Sequence, residues 1–98
     1  MNINFTARHF EASPSLKEYA KEAVTKLEQY FDRIVSCDIV LEPSAETTSP
    51  QKAEIHVKIP NKVLTSEVSS EYYEKAISEA VDNLSRQLKR YKTKKFAH

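Results

Sequence analysis

The stretch KAEIHVKIPNKVLTSEV, Lys52 to Val68, decides how this chain folds. Ala53, Ile55, Val57 and Ile59 alternate strictly with Lys52, Glu54, His56 and Lys58, the period-two pattern of a strand with one buried and one wet face. Pro60-Asn61 then interrupts the pattern. Proline presets a turn, and asparagine tolerates the left-handed backbone that glycine would usually supply. Val63 to Val68 reads as the returning strand, with a facing that the pattern leaves open. A hairpin here commits the domain to a sheet, so its flanks must either extend that sheet or cover it.

Upstream, Ile34 to Leu41 (IVSCDIVL) reads as another strand, with Val35, Cys37, Ile39 and Leu41 on one face. Between it and the hairpin lies EPSAETTSPQ, Glu42 to Gln51, which has two prolines and no hydrophobic period and is expected to be a mobile connection. Downstream, Tyr73, Ala76, Ile77, Ala80, Val81, Leu84, Leu88 and Tyr91 recur at helical spacing and form one apolar stripe. A second helix is expected from Leu16, where Leu16, Tyr19, Ala20, Ala23, Val24, Leu27, Tyr30 and Phe31 share a face until Asp32-Arg33 ends it. Ser13-Pro14 suits an N-cap followed by proline at the first helical position, while Ser15 with Glu18 is the alternative capping box. At the start, Ile3, Phe5 and Ala7 alternate with Asn2, Asn4, Thr6 and Arg8 in a further half-buried strand.

The expected fold is α+β: β-α-β-β-β-α, a four-stranded mixed sheet with two helices packed on one face. The first two strands, joined by a helical crossover, should be parallel, and the later pairs antiparallel. Two helices cover one face only. Asn4, Thr6, Arg8, Glu54, His56 and Lys58 should therefore meet water on the other. This layout is similar to that of double-stranded-RNA-binding modules, which read RNA by shape and phosphate contacts. It differs by the leading strand.

With 98 residues, 40% of them apolar, the chain makes one domain able to bury a modest core. The single cysteine, Cys37, permits no internal disulfide and no cysteine-based zinc site, which fits a reducing, cytoplasmic setting. The start MNINFTARHF lacks the pattern of a secretory signal, and no run reaches membrane-spanning length. Glycine is absent altogether, which excludes Walker loops and dinucleotide fingerprints because both need glycine for close backbone approach.

Nothing in the sequence argues for an enzyme. His9, His56 and His98 are far apart and lack metal-ligand spacing, so no metal or other cofactor is expected. Cys37 lies on an alternating strand face, where a small buried side chain is the simpler reading than a nucleophile. The carboxylates lie beside cations at helical spacing, as in Glu71–Lys75 and Asp82–Arg86, where modest helix support explains them.

Charge is the informative property. The formal net charge of +1 conceals an asymmetry: Arg86, Lys89, Arg90, Lys92, Lys94 and Lys95 give residues 86–98 a charge of +6 with no acid. Residues 1–85 hold nine basic against fourteen acidic residues, a charge of −5. Acids in the first half of the last helix and cations in the second complement the helix dipole, and a few such cations could do no more than that. Six in thirteen residues point to a polyanion, with Lys94 and Lys95 continuing past the helix. Lys17, Lys21 and Lys26 could extend the footprint if the two helices lie side by side, although they alternate with glutamates.

KLEQYFDRI (Lys26 to Ile34), PNKVL (Pro60 to Leu64) and AI…LSRQLKRYKTK (Ala76 to Lys94) together resemble the bacterial ribosome hibernation promoting factor family. That family includes the ribosome-associated inhibitor and carries the older label of sigma-54 modulation protein. The resemblance implies a single ribosome-binding domain over residues 1–95, with 96–98 as a short tail. It implies binding to 16S ribosomal RNA in the decoding region of the small ribosomal subunit, occlusion of the mRNA and tRNA sites, and idle, dimeric ribosomes in stationary phase. Carried over by position, the expected RNA contacts are Lys26, Arg86, Arg90, Lys92 and Lys94, with Lys89 at a position where members vary. Lys21 and Lys95 rest on charge alone. Tyr72-Tyr73-Glu74 stands where members often carry Asp-x-Tyr before the Ala-Ile of the last helix. Ending at His98 is similar to the short form, which acts with a separate ribosome modulation factor, and a monomer off the ribosome is expected. The alternatives are a protein-interaction regulator of transcription and a general RNA-binding module.

Overall fold

The structure, a computed structural model, describes the backbone of residues 1–96 and the side chains of residues 1–92. Strand β1 (Asn2–Ala7) leads into helix α1 (Pro14–Thr25), then strands β2 (Ser36–Pro43), β3 (Gln51–Ile59) and β4 (Lys62–Ser70), and helix α2 (Tyr73–Phe96) closes the fold. The sheet order is β1-β2-β3-β4. β1 runs parallel to β2, from Asn2 opposite Ser36 to Ala7 opposite Leu41. The β2–β3 and β3–β4 pairs are antiparallel, with Ser36 opposite Lys58 and Ile59 opposite Lys62. α1 packs beside β1, α2 lies over β3 and β4, and the helices touch each other, all on one face. This is the architecture expected from the hydrophobic periods.

The core lies between that face and the two helical stripes. Ala53, Ile55, Val57 and Ile59 of β3 are buried, as are Cys37, Ile39 and Leu41 of β2 and Ile77, Leu84 and Leu88 of α2. In β4 the inward set is Leu64 and Ser66, while Val63 faces out at 55% exposure. At the N-terminus of α1 the Ser13 hydroxyl accepts the Leu16 N–H at 3.1 Å, with Pro14 at the first helical position. Ser13, and not Ser15, is therefore the cap.

Four sequence readings need correction. α1 stops at Thr25 and tightens into a 3-10 turn over Lys26–Gln29, where one continuous helix to Phe31 was expected. The Thr25 hydroxyl donates to the Lys21 carbonyl at 2.7 Å, a back-bond that bends helices at such positions, and the narrower turn still buries Leu27. Val35 is 47% exposed because the chain enters β2 with Ile34 and Cys37 inward, three positions apart, which breaks the two-residue period and turns Val35 out. The connection between β2 and β3 is shorter than Glu42 to Gln51, because the ladder extends through Glu42 opposite Lys52 and Pro43 opposite Gln51. Lys52 fastens that end, its ammonium 2.9 Å from Glu42 and 3.3 Å from Glu67. Lastly, α2 runs to Phe96, so Lys94 and Lys95 belong to the helix instead of following it. Ala97 and His98 of the expected tail lie outside the described residues.

Two residues other than glycine take positive φ. Asn61 (φ 67°) makes the β3–β4 turn, as its residue type suggests, and His9 (φ 65°) turns the chain after β1. The second turn lets Phe10 stack on Tyr73, with ring centroids 4.5 Å apart, tying the start of α2 to the β1–α1 connection.

The sheet face away from the helices is largely polar, and several of its groups pair with one another. Asn4 donates to Asp38 at 2.7 Å, and His56 bridges Glu54 (2.8 Å) and Thr65 (3.0 Å). No helix among the described residues is long and apolar enough to cross a membrane.

Candidate nucleic-acid interface

The basic end of α2 is held against the sheet by its own apolar stripe. Leu84 and Leu88 are fully buried, and Gln87 donates to the Thr65 carbonyl of β4 at 3.2 Å. Tyr91 meets Phe31 edge-to-face, with centroids 5.7 Å apart, so the last turns of α2 are pinned to the segment that follows α1. A stripe buried on one side of a helix directs the intervening residues outward. Arg86, Lys89, Arg90 and Lys92 are accordingly all exposed.

Their partners differ. Arg86 pairs with Asp82 one turn earlier, at 2.5 Å between two exposed side chains. Such a pair is worth well under ~1 kcal/mol and can be exchanged for a phosphate at little cost. The Lys89 ammonium sits 4.6 Å from the centre of the Tyr30 ring. This cation–π contact orients the lysine without neutralising it. Arg90 and Lys92 have no ion-pair partner among the described residues. Lys94 and Lys95 continue the helical backbone, and their side chains lie outside the described residues.

The two helices do lie side by side, but they collect the α1 lysines unequally. A groove of about 390 Å³ runs between them, with Tyr19, Ala23, Lys26 and Tyr30 on one wall and Val81, Asp82 and Ser85 on the other. Lys26 thus shares a wall with Tyr30, on which Lys89 rests. Lys21 is set apart. At about 100° per residue it lies roughly 160° around α1 from Tyr19 and Ala23, on the flank turned away from α2. Farther along, the groove carries Glu22, Glu79 and Asp82, so the helical face as a whole is not basic.

One cation that sequence reasoning missed belongs with this set. Lys62, from the β3–β4 turn, places its ammonium 5.7 Å from the centre of the Tyr91 ring. No sequence signal linked it to α2, since the contact depends on where the helix crosses the hairpin.

Of the remaining reactive groups, His56 is hydrogen-bonded on the outer face and Cys37 is buried. The Cys37 thiol is pushed up to about 12, chiefly by burial and further by the neighbouring charges of Asp38 and Glu28, so it is not a nucleophile near neutral pH. Among the described residues, no three His, Cys, Asp or Glu side chains gather where a metal ion could be held.

Comparison with known proteins places this geometry. The model of the family described as sigma 54 modulation protein / S30EA ribosomal protein matches residues 3–95. The ribosome hibernation promoting factor of Escherichia coli (strain K12) is 34% identical over 98 residues, covering all of both chains. The ribosome hibernation promotion factor of Bacillus subtilis (strain 168) is 33% identical over 94 residues, 96% of this chain but 50% of that protein. This chain therefore spans about half the length of the Bacillus relative and the full length of the Escherichia one. Among solved structures, the N-terminal domain of Thermus thermophilus Protein Y superposes with a TM-score of 0.80 at 28% identity, over 93% of this chain and 99% of that one. A ribosomal subunit interface protein from Coxiella burnetii shares the fold with a TM-score of 0.83 at 22% identity, over 95% and 99%.

Proposed function

The chain belongs to the sigma 54 modulation protein / S30EA ribosomal protein family, whose relatives here are ribosome hibernation factors, and from that premise we propose that it is a translation inhibitor that occupies the decoding region of the small ribosomal subunit. The partner is 16S ribosomal RNA, met through phosphates by the exposed cations of α2 together with Lys26. The action is steric: a compact domain held in the channel blocks the mRNA and tRNA sites and keeps ribosomes idle, as dimers, in stationary phase. A ribosome modulation factor acting on the same ribosome would complete that state. The protein is cytoplasmic and monomeric off the ribosome in this reading.

The observation that carries the proposal is the docked basic end of α2. Arg86, Lys89, Arg90 and Lys92 are exposed on a helix whose opposite stripe is buried, which presents them as a preorganised surface. A rigid array loses less conformational entropy on meeting phosphates than the same cations on a loose tail. Each phosphate neutralised releases counterions, so binding should fall steeply with salt.

Charge reversal at Arg86 and Arg90 (Arg86→Glu with Arg90→Glu) should abolish co-sedimentation with small subunits at moderate salt. Undiminished co-sedimentation of that double variant would overturn the site. Capture of polymerase components that survives high salt and nuclease treatment would instead favour a regulator of transcription.

A further inference from the structure

Resting on that reading, we propose that the RNA-contacting surface is one end of the molecule, gripped between two stretches of phosphate backbone, with Lys62 contacting one and Lys58 the other. Three observations converge on the β3–β4 turn. Lys62 lies on the helix side of the sheet, beside Tyr91. Lys58 is exposed at the same end but points to the opposite face, since its neighbours Val57 and Ile59 are buried under the helices. Arg33 joins them from the α1–β2 connection: Phe31 touches Tyr91, and the Val35 N–H donates to the Lys58 carbonyl at 2.8 Å.

The charges at this end are uncommitted. Arg33, Lys58, Lys62 and Lys89 have no ion-pair partner among the described residues; Glu28 and Asp32 are nearby acids in the sequence, and Asp38, opposite His56, is the diagonal cross-strand neighbour of Lys58 but accepts from Asn4. At the opposite end of the sheet Lys52 is bound by both Glu42 and Glu67. Beyond Lys26 at its end, the helix groove cannot substitute as the phosphate surface, because Glu22, Glu79 and Asp82 line it. Asp82 and Lys92 are ten residues apart on α2, or about 15 Å at 1.5 Å per residue. That exceeds the screening length of roughly 8 Å at physiological salt, so the groove carboxylates are screened from the turn that carries Lys92, while Arg86, paired with Asp82, and Lys26, on the groove wall, stand at the boundary.

The geometry also constrains the RNA. A single strand tracking along α2 could reach Lys62 beside Tyr91, whereas Lys58 lies on the far side of the sheet. Contact with Lys58 requires a second backbone segment, which a folded RNA cleft provides and an isolated strand does not.

The test measures binding to purified small subunits and to oligouridylate across a salt series. Two lost phosphate contacts should lower the slope of log K against log salt by roughly 1.4–1.8, equivalent to about a 15- to 30-fold loss at 0.15 M salt. Lys58→Ala with Lys62→Ala should show that loss on small subunits. Lys58→Ala alone should weaken small-subunit binding while leaving oligouridylate binding unchanged, and Lys58→Arg with Lys62→Arg should retain both. Glu22→Gln with Glu79→Gln should change small-subunit affinity by less than about threefold. Thermal melting checks that each variant is folded. Steep, salt-dependent binding by the wild type with an unaltered Lys58/Lys62 variant overturns the end-on grip and leaves the ribosomal reading standing. A wild-type protein that ignores small subunits overturns both.

Discussion

Leu88→Ala separates the two properties joined in α2, its attachment and its charge. Leu88 is fully buried, flanked in sequence by exposed Arg86, Lys89 and Arg90. Truncation to alanine removes three carbons, worth about 0.8 kcal/mol each in lost burial, or about 2.4 kcal/mol. The cavity left in a sheet–helix core that cannot fully collapse raises the cost to about 3–4 kcal/mol. At roughly 4–8 °C per kcal/mol for a domain of this size, the melting midpoint should fall by at least about 12 °C. The assay is urea and thermal unfolding followed by circular dichroism, with an unchanged dependence on urea concentration confirming two-state behaviour. Arg90→Ala, made in parallel, should stay within about 0.5 kcal/mol of wild type because Arg90 is exposed and has no ion-pair partner among the described residues. The same Arg90 variant should nevertheless lose affinity for small subunits. A Leu88→Ala cost below about 1 kcal/mol would show that the last turns of α2 are not docked. The preorganised array of cations would then have no basis.

Two further outcomes follow from titrating groups that take no part in the proposed RNA surface. With its thiol pushed up to about 12 by burial, Cys37 should ignore a thiol-specific reagent at pH 8 until the protein is unfolded in urea; equal rates in the native and unfolded protein would refute its burial. The Glu42 carboxyl is held below the ordinary glutamate range chiefly by its hydrogen bond from Lys52; burial opposes this, and the charges of Lys52, Arg8 and His9 add to it. A depressed folded-state pKa stabilises the fold above the unfolded value, and that contribution is lost as pH falls through the folded one. Titration followed by carbon NMR should place the Glu42 midpoint lower in the folded protein than in the urea-unfolded chain, and an equal or higher midpoint in the folded protein refutes the contact.

Much of the fold was legible because short-range geometry writes it into the chain. The alternation of Ala53, Ile55, Val57 and Ile59 reports a strand face directly, since successive side chains on a strand point to opposite sides. The Leu84–Leu88–Tyr91 stripe does the same for a helix. Ser13-Pro14 and Asn61 were readable because each residue type suits one special backbone position. Readings failed where two elements compete. Thr25 hydrogen-bonds back to Lys21 and ends the regular helix early, while Val35 yields its inward place to Ile34. The candidate site was legible in its α2 half for the same reason, as one buried stripe fixes the direction of every cation beside it.

What the sequence determined by itself is the set of elements, their faces, the segregation of charge along the chain and, through KLEQYFDRI and LSRQLKRYKTK, the family. What only the tertiary structure decided is which cations stand together. Lys62 meets Tyr91 and Lys89 meets Tyr30 because of where α2 crosses the hairpin and the end of α1, while Lys21, three residues from Val24 in the core, is turned to the far flank. Periodicity reports the direction of a side chain within its own element. Contacts between elements depend on sheet register and helix crossing, which are set by the packing of the whole core and leave no local trace in the sequence.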